Sequence, residues 1–277
     1  MNMIISHFQT RSLVGKNTPS TMSLSTDLNR SYVQISKTKS GWELPNGEIL
    51  TFSQVETINQ DENNCFVFRD GKLEKAGLYS ERTNRYYSLM PTEKAPTMLI
   101  SGIPMHRIKD ITPVEDTDHK IKALGKPYGT VLDTSTGLGY TAIQAAKTAS
   151  KVITVEFDPI VLSICCLNPW SIELFTNPKI FQLIGDSWDL AHIFPERTFN
   201  AIIHDPPTFT LAGHLYSQSI YNIFFRILKD SGRLFHYIGN PDSRSGAIIG
   251  RGVVERLKRA GFSVIPKPQA YGVVAKK

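Results

Sequence analysis

Cysteine is scarce: the 277 residues contain three, and two of them, Cys165 and Cys166, are neighbours. Three thiols cannot build a disulfide framework, so the chain reads as one made for a reducing, cytoplasmic setting. No apolar run approaches the roughly 18 residues of a membrane-spanning helix, and no span is expected. No set of His, Cys and acidic residues has the spacing of metal ligands, and no metal is expected. Residues 1–26 lack Asp and Glu, and Arg11 and Lys16 are their only cations. A cleaved transit segment can have this composition. Against that, residues 4–13 have helical spacing, and residues 21–36 alternate as a hairpin around Asp27-Leu28-Asn29. A native N-terminal element is therefore expected, with residues 1–20 helical or disordered.

What the chain does have is apolar material. Hydrophobic residues make up 41% and charged residues 20%, enough for a substantial core and too much for a disordered or collagenous chain. The formal net charge of +6 comes from 31 Lys and Arg against 25 Asp and Glu. That excess suits an anionic partner, such as RNA or a phosphorylated metabolite. The bases are scattered, however, and a solvated basic surface explains them as well.

Two patterns follow one another along the chain, and no internal repeat is visible. Up to about residue 111 short strand-like runs (65–68, 85–89, 98–100) alternate with turn signals at Ser40-Gly41, Asn46-Gly47 and Asp70-Gly71, as in a small β-rich domain. A charge-dense stretch with a helix over residues 116–124 then leads to Gly125-Lys126-Pro127. From Gly129 onward strands and helices alternate. Strands are expected over 130–132, 151–155, 180–184, 200–204, 233–238, 262–265 and 272–275. Helices are expected over 140–149, 159–167, 215–228 and 252–260. Continuous apolar strands between helices imply a parallel sheet covered on both faces. The division expected is 1–112 for the β-rich domain and 113–277 for an α/β domain.

In such a sheet ligands bind beyond the carboxyl ends of the strands, and the informative residues follow the strands directly. After the first comes Asp133-Thr134-Ser135-Thr136-Gly137-Leu138-Gly139, whose small residues let a ligand approach the backbone. Taken alone, Gly137 to Ala142 also satisfies the dinucleotide pattern G-x-G-x-x-A. Asp133 argues otherwise, because a carboxylate there suits an ammonium group and opposes a pyrophosphate. Glu156 ends the second strand, where an acid can accept both hydroxyls of a ribose; a capping or solvent-facing acid is the plain alternative. After the third strand, Asp186 and the Ser187 backbone can read an adenine edge, with Trp188 over the base, although Asp186 also suits a helix N-cap. After the fourth, His204-Asp205-Pro206-Pro207-Thr208-Phe209 holds a carboxylate on a rigid backbone beside an aromatic wall.

Taken together, Asp133, Gly137, Gly139, Glu156, Asp186 and Asp205-Pro206-Pro207 resemble the class I S-adenosylmethionine-dependent methyltransferases over about residues 115–277. The resemblance implies a Rossmann-like α/β fold, a seven-stranded methyltransferase sheet preceded by the small β-rich domain. It also implies S-adenosyl-L-methionine as cofactor. Asp133, Ser135, Gly137 and Gly139 would lie near its methionine part, Glu156 on the ribose, Asp186 and Ser187 near the adenine, and Asp205, Pro206 and Phe209 toward the acceptor. Ser135 stands where the family usually has its first glycine. The front half is similar to the spermidine synthases, through Leu78-Tyr79-Ser80-Glu81, a hairpin-like stretch over 99–106 and Glu115-Asp116. The acidic run beside the polyamine tunnel of those enzymes is not evident. Asp-Pro-Pro-aromatic is nearer to enzymes that methylate amino nitrogens, and the whole resembles predicted prokaryotic methyltransferases with a spermidine-synthase-like layout.

The activity expected is direct in-line transfer of a methyl group to a nitrogen of a small molecule or nucleobase. Aminopropyl transfer from decarboxylated S-adenosylmethionine is the alternative, a nicotinamide oxidoreductase a weaker one, and a non-catalytic cofactor-binding scaffold remains open. Whether the acceptor is a small molecule or a nucleic acid is undecided, and a homodimer is compatible. The loop 239–246, continuing to Arg251, overlooks the same rim, where Arg244 and Arg251 can grip an anionic group on the acceptor; a flexible solvated loop is the alternative. His106, Arg107 and Lys109 extend a basic surface without the aromatic interleaving of an RNA site. Cys65, Cys165 and Cys166 read as core thiols. His236 reads as structural, and His204 either assists proton removal or packs at its strand end.

Overall fold

The structure is a computed structural model that describes residues 3–15 and 17–277, so Lys16 lies outside the described residues. The chain forms two compact units: Met1–Val114 with Ile160–Ile172, and Glu115–Pro159 with Glu173–Lys277.

The first unit consists of three small antiparallel sheets. In one, Met3–Ile5 pairs with Phe66–Arg69, which pairs with Lys72–Lys75 across Asp70-Gly71. Both turn residues have positive φ, which matches the twist of a two-residue hairpin. The second joins Thr21–Leu24, Val33–Lys37, Gly41–Glu43 and Ile49–Thr51 in sequence order. Its first hairpin is the expected one, turning where Leu28 and Asn29 have positive φ. The third joins Gly77–Ser80, Arg85–Met90, Thr97–Ile100 and Ile103–Pro104. Ile5, Leu24, Ile35, Trp42, Leu50, Ile58 and Phe68 form the core of this unit.

Two local readings are corrected. The N-terminal run is not a continuous helix: Met3–Ile5 is a strand, because its backbone pairs with Phe66–Arg69 and its three side chains are buried. Helix begins only at His7–Thr10, where Ser6 and Gln9 form a capping box, and continues as a 3-10 turn over Arg11–Leu13. A helix not foreseen spans Phe52–Asn59, started by the same device from Thr51 and Gln54.

The second unit is built on a seven-stranded sheet: β1 (Thr130–Asp133), β2 (Lys151–Glu156), β3 (Ile180–Ile184), β4 (Phe199–His204), β5 (Leu228–Tyr237), β6 (Ser263–Lys267) and β7 (Gly272–Lys276). Their order is β3-β2-β1-β4-β5-β7-β6. The first five run parallel, and β7 lies antiparallel between β5 and β6. That inserted strand separates this sheet from the all-parallel dinucleotide sheet. The accompanying helices are α1 (Pro113–Leu124), α2 (Tyr140–Ala146), α3 (Ser187–Ile193), α4 (Gln218–Ile227) and α5 (Arg244–Arg259). Leu132, Phe199, Ile202, Tyr221, Phe224, Leu234, Val253 and Leu257 belong to the core they enclose. No single helix among the described residues is long and apolar enough to cross a membrane.

Here too the sequence pattern misplaced some boundaries. The run 215–228 is not one helix. A short helix Phe209–Ala212 and a 3-10 turn Gly213–Tyr216 precede α4, whose start is set by Ser217, and Leu228 already opens β5. The stretch 239–251 is not a loop throughout: Ser243 caps α5, which runs from Arg244. Gly246, Gly250 and Gly252 weaken helix propensity and hid it. Gly246 is required by packing, since a Cβ there would collide with the Asn240 carbonyl oxygen.

Ile5 is fully buried in the edge strand of the first sheet. Ile5→Ala should therefore cost about 2 to 5 kcal/mol of unfolding free energy in urea titrations, whereas a residue in a mere leader would cost nothing.

Candidate active site

The strand order reverses between β1 and β4, and sheets of this kind hold their ligands beyond the carboxyl ends at such a point. The loops after β1, β2 and β4 converge there, held by backbone bonds: the Thr134 amide donates to the Ile203 carbonyl (3.0 Å) and the Thr136 amide to that of Val155 (2.8 Å).

Asp133 is the last residue of β1 and is sealed from solvent. Thr154, its register neighbour on β2, and Thr141 on α2 each donate a hydroxyl hydrogen bond to Oδ2 (3.1 Å). Oδ1 has no hydrogen-bond partner. Burial pushes this carboxyl up to about 7; the threonine hydroxyls and the Ser135 amide pull it down, and the charge of Asp205 adds to the rise. The Thr154 hydroxyl spends its one hydrogen on Asp133, so Thr136, 2.8 Å away, donates to Thr154. A buried polar chain thus ties the glycine loop to the sheet.

Within that loop Gly137 (φ +50°) and Gly139 (φ +77°) sit in the left-handed region. A Cβ on Gly139 would press on Leu174 at 3.0 Å, but one on Gly137 would meet nothing within 4 Å. Gly139 is thus a packing glycine, and Gly137 borders open space. Glu156 closes the loop from β2: Oε2 accepts from the Gly137 amide (3.0 Å) and Oε1 from that of Asp158 (3.1 Å). Burial pushes its carboxyl up to about 7 despite these bonds. Each oxygen keeps a second lone pair for a ligand hydroxyl. Ser135 is half-buried on the same loop.

Asp186 caps α3: Oδ1 accepts from the Trp188 amide (2.8 Å), and Oδ2 lies 2.9 Å from His214 Nε2. The buried Ser187 hydroxyl donates to the Thr134 carbonyl, which joins the first and third loops. Trp188 packs on His192 and against the core.

Asp205 follows β4 at the rim, with its side chain 21% exposed. Its Oδ2 accepts from the Nζ of Lys120 (2.5 Å), which is also 2.8 Å from Asp116. Burial alone would lower the lysine's pKa, but the two carboxylates outweigh it and hold the ammonium above its ordinary value. Pro206 is buried, Pro207 accepts a hydrogen bond at its carbonyl from Tyr216 Oη (3.1 Å), and the exposed Phe209 ring meets Tyr216 edge-on. His204 is packed at the strand end: its Nε2–H donates to the Leu215 carbonyl (2.8 Å), so Nδ1 accepts from Thr134 Oγ1 (2.7 Å). Burial drives it down to about 4, and His236, 4.5 Å away between ring centroids, well below the usual range.

The structure therefore brings the loops that carry Asp133, Ser135, Gly137, Glu156, Ser187 and Asp205 together at the carboxyl ends of the first four strands. Arg244 and Arg251 are exposed on the first turns of α5 and do not lie on a loop. Cys166 is exposed, so only Cys65 and Cys165 are core thiols. Two residues had escaped notice. Phe157, directly after Glu156, exposes an aromatic ring at the end of β2. Lys120 was visible only as the second member of an i, i+4 Asp–Lys pair.

A mostly parallel sheet with an antiparallel seventh strand, preceded along the chain by a β-rich unit, is a Rossmann-like α/β fold. The structure is similar to spermidine synthase from Thermotoga maritima (TM-score 0.56, 18% identity, covering 72% of this chain and 70% of that one). It is equally similar to a spermidine synthase in complex with the transition state analogue AdoDATO (TM-score 0.56, 18% identity, 73% and 72%). No protein-family model matches the chain. In sequence it is 42% identical over 261 residues to Uncharacterized protein MJ1233 of Methanocaldococcus jannaschii, covering 92% of this chain and 88% of the relative. The chain belongs to the family of that protein. It is also 28% identical over 162 residues to Polyamine aminopropyltransferase 2 of Streptomyces coelicolor, over 56% of this chain and 28% of that protein.

Because Asp133 and Glu156 bind protons more tightly folded than unfolded, their stabilising effect is present below about pH 4 and lost as pH rises through about 7. The advantage of Asp133→Asn over the parent should grow by about 1 kcal/mol or more between pH 5 and pH 8, read from urea unfolding at both pH values.

Proposed function

We propose that the protein transfers a methyl group from S-adenosyl-L-methionine to a nitrogen of its acceptor. The observation that carries this reading is the gathering of Asp133, Gly137, Glu156 and Asp205 at the carboxyl ends of adjacent strands across the switch point. Two features fit that cofactor. Asp133 keeps a buried oxygen without a partner, and the space beside Gly137 admits a ligand up to the backbone. When bound, S-adenosylmethionine supplies a methyl group on a positively charged sulfur, so no nucleophilic side chain is required.

The chain's own residues then divide the work. Asp133 and Glu156 place negative charge beneath a cationic ligand, and Glu156 has lone pairs for ribose hydroxyls. Phe157 offers an apolar face beside them for a base, and Asp186 and Ser187 border the same end. Asp205, fixed between Pro206 and Lys120, accepts the N–H of an acceptor amine and so aims its lone pair, and Phe209 walls the approach. Burial holds His204 neutral and both its nitrogens are engaged, so Asp205 is the better placed group to receive a proton.

A second reading, aminopropyl transfer from decarboxylated S-adenosylmethionine, is favoured by the likeness to the Streptomyces coelicolor aminopropyltransferase. An oxidoreductase is disfavoured by Asp133 and by the antiparallel seventh strand. Titration calorimetry with S-adenosylmethionine, its decarboxylated form and NAD separates the three, with preference for the first expected; preference for the second would move the assignment to aminopropyl transfer.

Asp133→Ala and Glu156→Ala should each weaken S-adenosylmethionine binding about tenfold or more; unaltered affinity in both would remove the site assignment. Asp205→Ala should keep that affinity within about threefold and lose methyl transfer to any acceptor found by screening RNA, polyamines and metabolite pools with a tritiated donor. Binding of the cation should also release protons near pH 6.5, since it favours the ionised carboxylates. Calorimetry in buffers of different ionisation enthalpy reads that release.

A further inference from the structure

We infer that Lys120 is a positioning residue: its buried ammonium, braced by Asp116, clamps Oδ2 of Asp205 and keeps that carboxylate ionised in one orientation at the rim. The inference rests on the reading of Asp205 as the group that faces the acceptor.

The geometry is specific. Lys120 and Asp116 are one helical turn apart on α1, and their side chains are 2% and 0% exposed, whereas Asp205 reaches the rim. The Lys120 ammonium also lies over the Tyr237 ring of β5, 4.7 Å from its centre. Burying an ammonium and a carboxylate costs several kcal/mol per ion, and an apolar contact of the same shape would hold α1 to the sheet at less expense. What an apolar contact cannot do is fix the charge of Asp205. Asp205 faces Lys120 from α1, Asp133 from β1 and Tyr216 from the 3-10 turn. Without Lys120 it would face Asp116 and Asp133, two further acids, and would take up a proton more readily. A protonated Asp205 would accept the N–H of an amine only weakly, through its carbonyl oxygen, and could not take up the proton that the amine gives off.

The test uses Lys120→Met and the double variant Lys120→Met/Asp116→Asn, which removes both fully buried charges of the cluster together and is the one expected to fold. Asp205 is followed by carbon-13 NMR of the carboxyl groups in the ligand-free protein, its resonance identified as the one missing in Asp205→Asn. The expected result is an upward move of the Asp205 titration by about one to three units. Turnover should fall by about tenfold or more while the affinity for S-adenosylmethionine stays within about threefold, and the acid limb of the turnover profile should move with the titration. An unchanged Asp205 titration in the folded double variant overturns the clamp, and a moved titration with unchanged turnover overturns its role in the reaction. Failure of the parent protein to bind S-adenosylmethionine would instead defeat the functional reading, and the ligand-free titration tells the two failures apart.

Discussion

Everything at the rim depends on keeping carboxylates out of water at the ends of adjacent strands. Asp133 is the extreme case. It stands in the middle of the sheet with β2 on one side and β4 on the other, so its neighbours are backbone and hydroxyl, not solvent. The threonine chain through Thr136, Thr154 and Thr141 satisfies one of its oxygens and in doing so sets the path of the glycine loop. A network of this kind rigidifies a site because each member has one arrangement that satisfies the others. Its remaining oxygen, with no partner inside the protein, makes the site expensive to leave as it is and favourable for a cation.

The rim has two electrostatic halves. On the side of β2, Glu156 is held by backbone amides, which favour the charge without neutralising it. On the side of β4, Asp205 is held by a full positive charge from Lys120. The first arrangement leaves negative potential for a ligand to complete. The second fixes an acid in its ionised form and limits its motion. That asymmetry suits the transfer proposed above, with attraction on one side and alignment on the other.

The α/β half was legible because its strands are continuous apolar runs ended by acids. Val131-Leu132-Asp133, Val155-Glu156 and Ile202-Ile203-His204-Asp205 each mark both a strand and its carboxyl end. Boundaries failed where local signals disagreed with packing. Met3–Ile5 was too short for a period to show, and only pairing with Phe66–Arg69 makes it a strand. Three glycines between 246 and 252 disguised the first half of α5, although Ser243 is a capping residue in the sequence. Lys120 was hidden for another reason: a lysine four residues after an aspartate reads as a solvated surface pair, and nothing local announces that the turn is buried or that the third partner lies 85 residues away. Phe157 was overlooked because one apolar residue after a strand carries no pattern.

The helix and turn of residues 160–172 belong with Met1–Val114, although the segment 115–159 separates them along the chain. Trp170 donates its indole N–H to the Leu28 carbonyl, and Arg30 reaches the Pro169 carbonyl. The β-rich unit is therefore discontinuous, and the polypeptide leaves it, starts the large sheet, returns, and leaves again. During synthesis it stays incomplete until residue 172 has emerged from the ribosome, by which time β1 and β2 are already made. An expression fragment cut after residue 114 would leave the Leu28 carbonyl and the Arg30 guanidinium without these partners, so no single cut in the chain yields the β-rich unit whole.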